Sequence, residues 1–160
     1  MTTVSTSPQS NLLTRLLFQS TVSTNLWFQV LWLIMRVSAG GLMIHNGLDK
    51  LGNVQGFADN VVTYIGLPYP IFFTYCAAYT EVIGAILLIL GLLTRLNAAA
   101  LFFTMLVAIF FHIKGNGFRV TPLETAALYA SFYLFFLVNG GGQLAIDAWL
   151  WQKLNPSSDA

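Results

Sequence analysis

The sequence predicts an all-α integral membrane protein in which four spans form a helical bundle. Of its 160 residues, 56% are hydrophobic and only 8% are charged, whereas soluble domains carry about 25% charged residues. Four apolar segments are long enough to cross a bilayer, which takes about 20 helical residues. Short connections between spans favour an up-and-down bundle. Short interfacial helices are predicted before span one, between spans one and two, and after span four.

The composition also excludes several classes of partner. The net charge of +1 and the lack of a basic run with interleaved aromatic residues argue against nucleic acid. The single cysteine, Cys76, excludes an internal disulfide, a redox cysteine pair and a cysteine-rich metal site. Because Cys76 lies in an apolar run, we expect it to be buried. The lack of basic residues before Arg15 argues against a secretory signal peptide.

The amino-terminal region, residues 1–25, is predicted to be a flexible segment followed by an interfacial helix. Residues 1–10 are rich in Ser and Thr, which is typical of disorder. After them, an apolar face is formed by Leu12, Leu13, Leu16 and Leu17. This face is too short to span a bilayer, so we expect the helix to lie on its surface.

The four-span bundle is predicted over residues 26–140, with spans at about 26–46, 71–93, 96–113 and 122–139. In span one, the small residues Ala39, Gly40 and Gly41 predict close approach of another helix. The connection from 47 to 70 holds apolar residues at helical spacing, which predicts an interfacial helix. After the glycines at 140–142, residues 141–160 are predicted to form a carboxyl-terminal interfacial segment and a disordered tail.

Two ionisable residues lie inside predicted spans, where a charge is costly and needs a partner or a function. Arg36 precedes His45, near the end of span one, by nine residues, which corresponds to a depth of about 13–14 Å. Glu81 lies ten residues into span two, at a depth of about 15 Å. We therefore predict an Arg36–Glu81 ion pair. It either fixes helix register alone or lines a cavity for protons or for an anionic or quinone-like ligand, and a cavity would separate these alternatives.

A candidate ligand mouth is predicted at the membrane face where spans one and three end. The residues placed there are His45, Lys50, His112 and Glu124. Haem is disfavoured as a cofactor. Ligation by two histidines requires imidazoles at equal depth, which His45 and His112 reach only at the membrane interface, and nothing else in the sequence indicates a haem. No metal-ligand spacing is recognisable. Two interpretations of the histidines remain open. Each is either a polar residue at the level of the lipid headgroups or a hydrogen-bond donor to a quinone carbonyl.

At the opposite face, Arg95 follows span two and Asp147 follows the three glycines. We expect these residues to form a surface cap or an ion pair between loops. Basic residues are balanced between the two faces, so the positive-inside rule leaves the orientation open.

Several small motifs recur in an order and spacing that together indicate one family. They are Arg36 with Gly40, His45-Asn46-Gly47 with Lys50-Leu51, Gly66-Leu67-Pro68, Glu81 with Gly84, Leu88 to Arg95, and Gly140–Gly142 with Asp147. Over about residues 30–150 the chain thereby resembles the DoxX family of small four-helix bacterial membrane proteins. It departs from the family in its last motif, GGGQLAID, which lacks the proline that often stands between the glycines.

The resemblance implies a multi-pass protein of the bacterial cytoplasmic membrane, or its equivalent, associated with quinone-linked or thiol-related oxidoreductase complexes. The chain has no recognisable nucleophile, redox cysteine pair or nucleotide motif, so it is at most a subunit of such an enzyme.

Its function is therefore predicted as quinone binding in an oxidoreductase complex. The alternative is a non-enzymatic assembly subunit. A small transporter ranks last, since the broken helices of transporters are missing. Besides lipid, other membrane subunits or a second copy remain open as partners.

Overall fold

The structure, a computed structural model, describes residues 12–154. The segments predicted to be disordered, 1–10 and the tail from 155 onward, lie outside the described residues. The described chain is helical with connecting loops, and four of its helices are long and apolar enough to cross a membrane. The predicted all-α fold with four spans is confirmed.

The helices follow in simple order along the chain. They are α1 (Leu12–Phe18), α2 (Leu26–Gly52), α3 (Val54–Phe57), a π-helical segment (Ala58–Thr63) that continues α3, α4 (Pro70–Leu90), α5 (Thr94–Asn116), α6 (Val120–Asn139) and α7 (Ile146–Leu154). The spans are α2, α4, α5 and α6.

The spans alternate in direction, which gives the bundle two distinct ends. At the histidine end, α2 and α5 finish and α4 and α6 begin, and the π-helical segment packs against α4. At the glycine end, α2 and α5 begin and α4 and α6 finish, and α1 packs against α7 and α5. The short helices thus lie where the sequence predicts them, before, between and after the spans.

Close packing of α2 against α4 depends on two glycines. A Cβ atom added to Gly40 would lie 3.0 Å from the carbonyl oxygen of Ala85, and one added to Gly47 would lie 3.0 Å from that of Ala78. Such distances are shorter than ordinary van der Waals contact, so only glycine lets the helices approach this closely. The predicted small-residue contact is confirmed at Gly40, whereas Gly41 faces open space.

The remaining side of α2 faces α6 through larger side chains. The rings of Trp32 and Phe136 meet edge to face with centroids 5.1 Å apart. Tyr133 donates a hydrogen bond from its hydroxyl to the carbonyl oxygen of Ala39 at 3.4 Å. Since α4 also packs on α5, and α5 on α6, the four spans close a ring in chain order and α2 lies diagonally opposite α5.

The carboxyl-terminal end of α2 differs from the prediction. The helix passes through Gly47 and ends at Gly52, about six residues beyond the predicted end. Gly47, the first residue after the predicted end of span one, is instead a packing position within the helix against α4. This difference changes every depth counted from the end of span one.

Candidate functional site

Arg36 is almost completely buried, and its side chain points to the glycine end of the bundle. Nη1 donates a hydrogen bond to the carbonyl oxygen of Gly141 at 2.5 Å, and Nη2 donates to that of Leu144 at 2.8 Å. The loop between α6 and α7 therefore folds into the end of the bundle and places backbone carbonyls around the guanidinium. Bonds to a charged donor are among the strong ones in proteins.

Asp147 stabilises the same end of the bundle. It is 3% exposed, and its two carboxylate oxygens accept hydrogen bonds from the backbone N–H groups of Leu93 and Thr94, both at 2.7 Å. These N–H groups open α5, where a helix has unpaired donors and favours a negative charge. Asp147 also interacts electrostatically with Arg36.

Asp147 thus caps α5, but it is buried, whereas the sequence predicted a cap on the surface, and Arg95 takes no part in it. The guanidinium of Arg95 donates from Nη2 to the carbonyl oxygen of Gln19 at 3.1 Å. No ion pair between Arg95 and Asp147 is found among the described residues. The two residues share one end of the bundle without pairing, because backbone N–H groups satisfy the carboxylate.

The predicted Arg36–Glu81 ion pair is wrong. Arg36 lies 16 residues before the end of α2, or about 24 Å, whereas Glu81 lies 11 residues into α4, or about 16 Å. The prediction equated these depths because it ended span one near His45 and set that end level with the start of span two. In the observed register Gly47, rather than Arg36, is level with Glu81.

Glu81 instead pairs with Lys50. The ammonium nitrogen of Lys50 lies 2.5 Å from Oε2 of Glu81, whose side chain is 1% exposed. Lys50 also donates to the carbonyl oxygen of Asn46 at 3.3 Å, and its nitrogen lies 5.2 Å from the centre of the Phe57 ring. The pair joins the last turn of α2 to the middle of α4.

This ion pair forms part of the wall of a cavity of about 690 Å³ in the half of the bundle near the histidine end. The volume is within the range of small-molecule sites, which are mostly apolar with a few polar groups. The polar lining residues besides Lys50 and Glu81 are Asn46, Thr80, Thr104, His112, Thr125 and Tyr129, and all others except Cys76 are apolar.

The segment between α2 and α4 covers one side of this cavity. Phe57, Val61 and Val62 line it, and the π-helical segment that carries the two valines is anchored by buried Ala58 and Val62. A π-helical turn widens the helix by one residue and is frequent at functional sites. Nothing in the sequence pattern distinguishes it from the α-helix that we predicted.

The predicted mouth residues divide into two groups. Lys50 and His112 line the cavity. His45 is exposed and pairs with Asp49 at 3.4 Å, and Glu124 is exposed on the first turns of α6. Neither His45 nor Glu124 is among the lining residues. The two histidines thus have different surroundings, and no group of three potential metal ligands occurs among the described residues.

A smaller polar groove adjoins the cavity on the outer side of Lys50. It measures about 380 Å³ and shares Asn46, Lys50, Phe57 and Val61 with the cavity. Its other lining residues are polar or small: Asp49, Asn53, Gly56 and Asn60. Lys50 therefore stands between an apolar interior and a polar surface.

Sequence reasoning missed several lining residues and misjudged one. Tyr129 and Thr80 carry no motif, although each lies on a helix face with other lining residues. Cys76, which we expected to be buried, is exposed while also lining the cavity. It lies where α4 and α5 separate, and such a gap cannot be read from the apolar character of the segment.

Four membrane-length helices around a lined cavity define a multi-pass membrane protein. The chain belongs to the DoxX family, whose family profile matches residues 31–113, about half of the chain. It is also similar to a protein of Haemophilus influenzae described as uncharacterized, with 40% identity over 82 residues. That match covers 48% of this chain and 61% of the relative, so it spans less than two thirds of the relative's length. No solved structure matches the chain.

Proposed function

We propose that this protein binds a quinone or a similar amphipathic ligand and serves as a membrane subunit of a quinone-linked oxidoreductase in the bacterial cytoplasmic membrane. The observation that carries the proposal is the cavity of about 690 Å³ with the Lys50–Glu81 pair in its wall. A pair that fixed helix register alone would not need to line a cavity. Intramembrane ionisable residues next to a cavity favour a functional role.

The chemistry of the lining suits a ligand with carbonyl oxygens on an apolar ring. A lysine ammonium has three N–H donors, and Lys50 uses two of them on Asn46 and Glu81. The third is available to a ligand carbonyl in the cavity that Lys50 lines. The half-buried His112 supplies a second polar group, and the apolar lining accommodates the ring.

The role is that of a subunit, because this chain contains one cysteine and no recognisable nucleotide-binding motif. Electrons for quinone chemistry would come from a partner protein. The contribution of this chain is then to bind the quinone, to orient its carbonyl groups and to hold it within the membrane.

Direct binding tests this proposal. Purified protein in lipid nanodiscs is titrated with short-tailed ubiquinone and menaquinone analogues, and Kd is measured by calorimetry. We expect Lys50→Met to raise Kd roughly tenfold or more, because it removes a hydrogen bond from a charged donor. Glu124→Gln is the matched control, since it removes an exposed charge at the same end of the bundle and should leave Kd unchanged.

Two results would contradict the proposal. One is the lack of saturable quinone binding by the wild-type protein. The other is wild-type affinity in both Lys50→Met and Glu81→Gln when thermal unfolding shows that both variants are folded.

The second candidate is a non-enzymatic assembly subunit of a larger membrane complex. It is favoured by the gap between α4 and α5, which a partner helix could cover. Extraction in mild detergent followed by native-mass measurement tests it. An isolated small species that still binds quinone would count against this alternative.

A further inference from the structure

We infer that the cavity is loaded from the bilayer through the gap between α4 and α5, and that the bound ligand keeps an apolar tail in this gap. The inference rests on the proposed function and specifies the class of ligand: a compound dissolved in the membrane, with a polar ring and a long tail. A water-soluble ligand would not enter the cavity from the bilayer.

Two helical stripes form the facing walls of the gap. On α4 four of the lining residues recur at three- and four-residue intervals: Phe73, Cys76, Ala77 and Thr80. On α5 six of the lining residues do the same: Ala100, Phe103, Thr104, Val107, Ala108 and Phe111. This spacing places each set along one helix face, and the α5 stripe extends over about 16 Å.

Each stripe includes residues that are exposed. Cys76 and Ala100 are exposed, and Phe103 is 67% exposed although it lines the cavity. In contrast, α4 and α5 meet nearer the glycine end, where a Cβ on Gly84 would lie 3.6 Å from Leu101. The helices therefore separate towards the histidine end, and the cavity continues into the gap.

The gap opens within the membrane-spanning length of both helices. Cys76 is six residues, about 9 Å, from the start of α4, and Phe103 is nine residues, about 13–14 Å, from the start of α5. In helices that cross a bilayer, positions at this depth fall within the hydrocarbon core, which is about 30 Å thick. An apolar tail can lie there at no cost, whereas a polar ligand cannot pass.

The seam between α2 and α4 offers no comparable path. Gly40 and Gly47 bring the backbones of these helices together, and the Lys50–Glu81 pair bridges them. Two further exposed lining residues, Leu67 and Thr125, lie near the histidine end. They mark the competing path from the aqueous surface, which the experiment must distinguish.

The test compares two ligands with the same quinone ring, one with a decyl tail and one without a tail. Ala108→Trp places a large ring in the gap, and because a tail and this ring cannot share the space, Kd for the decyl quinone should rise roughly tenfold or more. Kd for the tail-less quinone should change less than about twofold. Leu106→Trp is the matched control, because Leu106 is exposed on α5 but does not line the cavity.

Two measurements on the wild-type protein support this test if Ala108→Trp does not fold. A decyl quinone with a diazirine at the tail end should label the α4 and α5 stripes on illumination. Cys76 is the single cysteine of the chain, so its labelling by a lipid-soluble maleimide reports on the gap, and decyl quinone should protect it. Protection of Cys76 without quinone would mean that a protein helix covers the gap, which would overturn the inference.

Other outcomes are equally decisive. Equal effects of Ala108→Trp on both quinones, or a loss specific to the decyl quinone in Thr125→Trp instead, would overturn the path through the gap while leaving the binding site intact. If the wild-type protein binds neither quinone, the proposed function itself fails and this inference fails with it.

Discussion

Lys50 Nζ lies 2.5 Å from Oε2 of Glu81, and the two residues differ sharply in what surrounds them. The lysine side chain is 16% exposed and borders the polar groove, whereas the glutamate side chain is 1% exposed. A long lysine side chain can move its ammonium group towards water when its partner is lost. A carboxylate on the middle of α4 cannot, so the two halves of this pair are not equivalent.

We therefore expect Lys50→Met to destabilise the protein more than Glu81→Gln does. Lys50→Met leaves Glu81 buried without its charged partner and should cost about 3 kcal/mol. Glu81→Gln leaves an ammonium that can turn to the groove and should cost about 1 kcal/mol. Thermal unfolding in one detergent measures both variants. Equal losses would contradict the asymmetry.

The glycines of α2 allow a matched test of helix packing. Gly47→Ala should lower stability by about 1–3 kcal/mol, because the new methyl group would meet Val82 and the carbonyl oxygen of Ala78. Gly41→Ala, on the same helix, meets nothing within 4 Å. It should be neutral or stabilising by up to about 1 kcal/mol, since alanine favours helix more than glycine does. Similar losses in both variants, measured by chemical unfolding, would contradict the role of Gly47.

The bundle was predictable from the sequence because span length and low charge are properties of local segments. The partner of Glu81 was not, because depth counting depends on where each helix ends. Gly47 looks the same in sequence whether it stops a helix or lets another helix approach. The six-residue error at this point, about 9 Å along the axis, accounts for about half of the 11 residues that separate Arg36 from Gly47, which is level with Glu81. The rest arises because α4 begins beyond the end of α2, so the two helix ends are not level.

The role of Asp147 was only partly predictable for a different reason. The sequence places it at the same end as the start of α5, but its partners are backbone N–H groups some 53 residues away in the chain. Backbone groups carry no residue-specific signal. The cavity was not predictable either, because its lining residues come from all four spans and from the segment between α2 and α4. In sequence, α4 and α5 look like ordinary spans.

Because Asp147 caps α5, replacing this single side chain is expected to lower the stability of the protein substantially. Asp147→Ala should destabilise the protein by about 2 kcal/mol, because two N–H groups that open α5 lose their acceptor in a buried place. Asp147→Asn, which keeps one oxygen acceptor, should lose about half as much. Asp59→Ala is a control for the loss of an acidic residue, since Asp59 is exposed on the π-helical segment. Thermal unfolding distinguishes the three variants, and a loss in Asp59→Ala equal to that in Asp147→Ala would contradict the cap.

A variant of Arg36 tests whether closure of the glycine end is independent of ligand binding near the histidine end. Arg36→Lys should cost about 2 kcal/mol, because an ammonium cannot reproduce the fork that reaches the carbonyls of Gly141 and Leu144 together. The loop would loosen, so the amides of Gly142 and Gln143, which donate to Ser20 and Gln29, should exchange with solvent faster. Hydrogen exchange detected by mass spectrometry measures this change.

Quinone affinity should stay at the wild-type value in Arg36→Lys, because Arg36 does not line the cavity. The combination expected is thus faster exchange in the loop with unchanged Kd. The reverse result, a weakened Kd with unchanged exchange, would move Arg36 from the closure of the glycine end into the ligand site. Such a result would support the prediction from the sequence that Arg36 and Glu81 both take part in ligand binding, although they lie apart in the bundle.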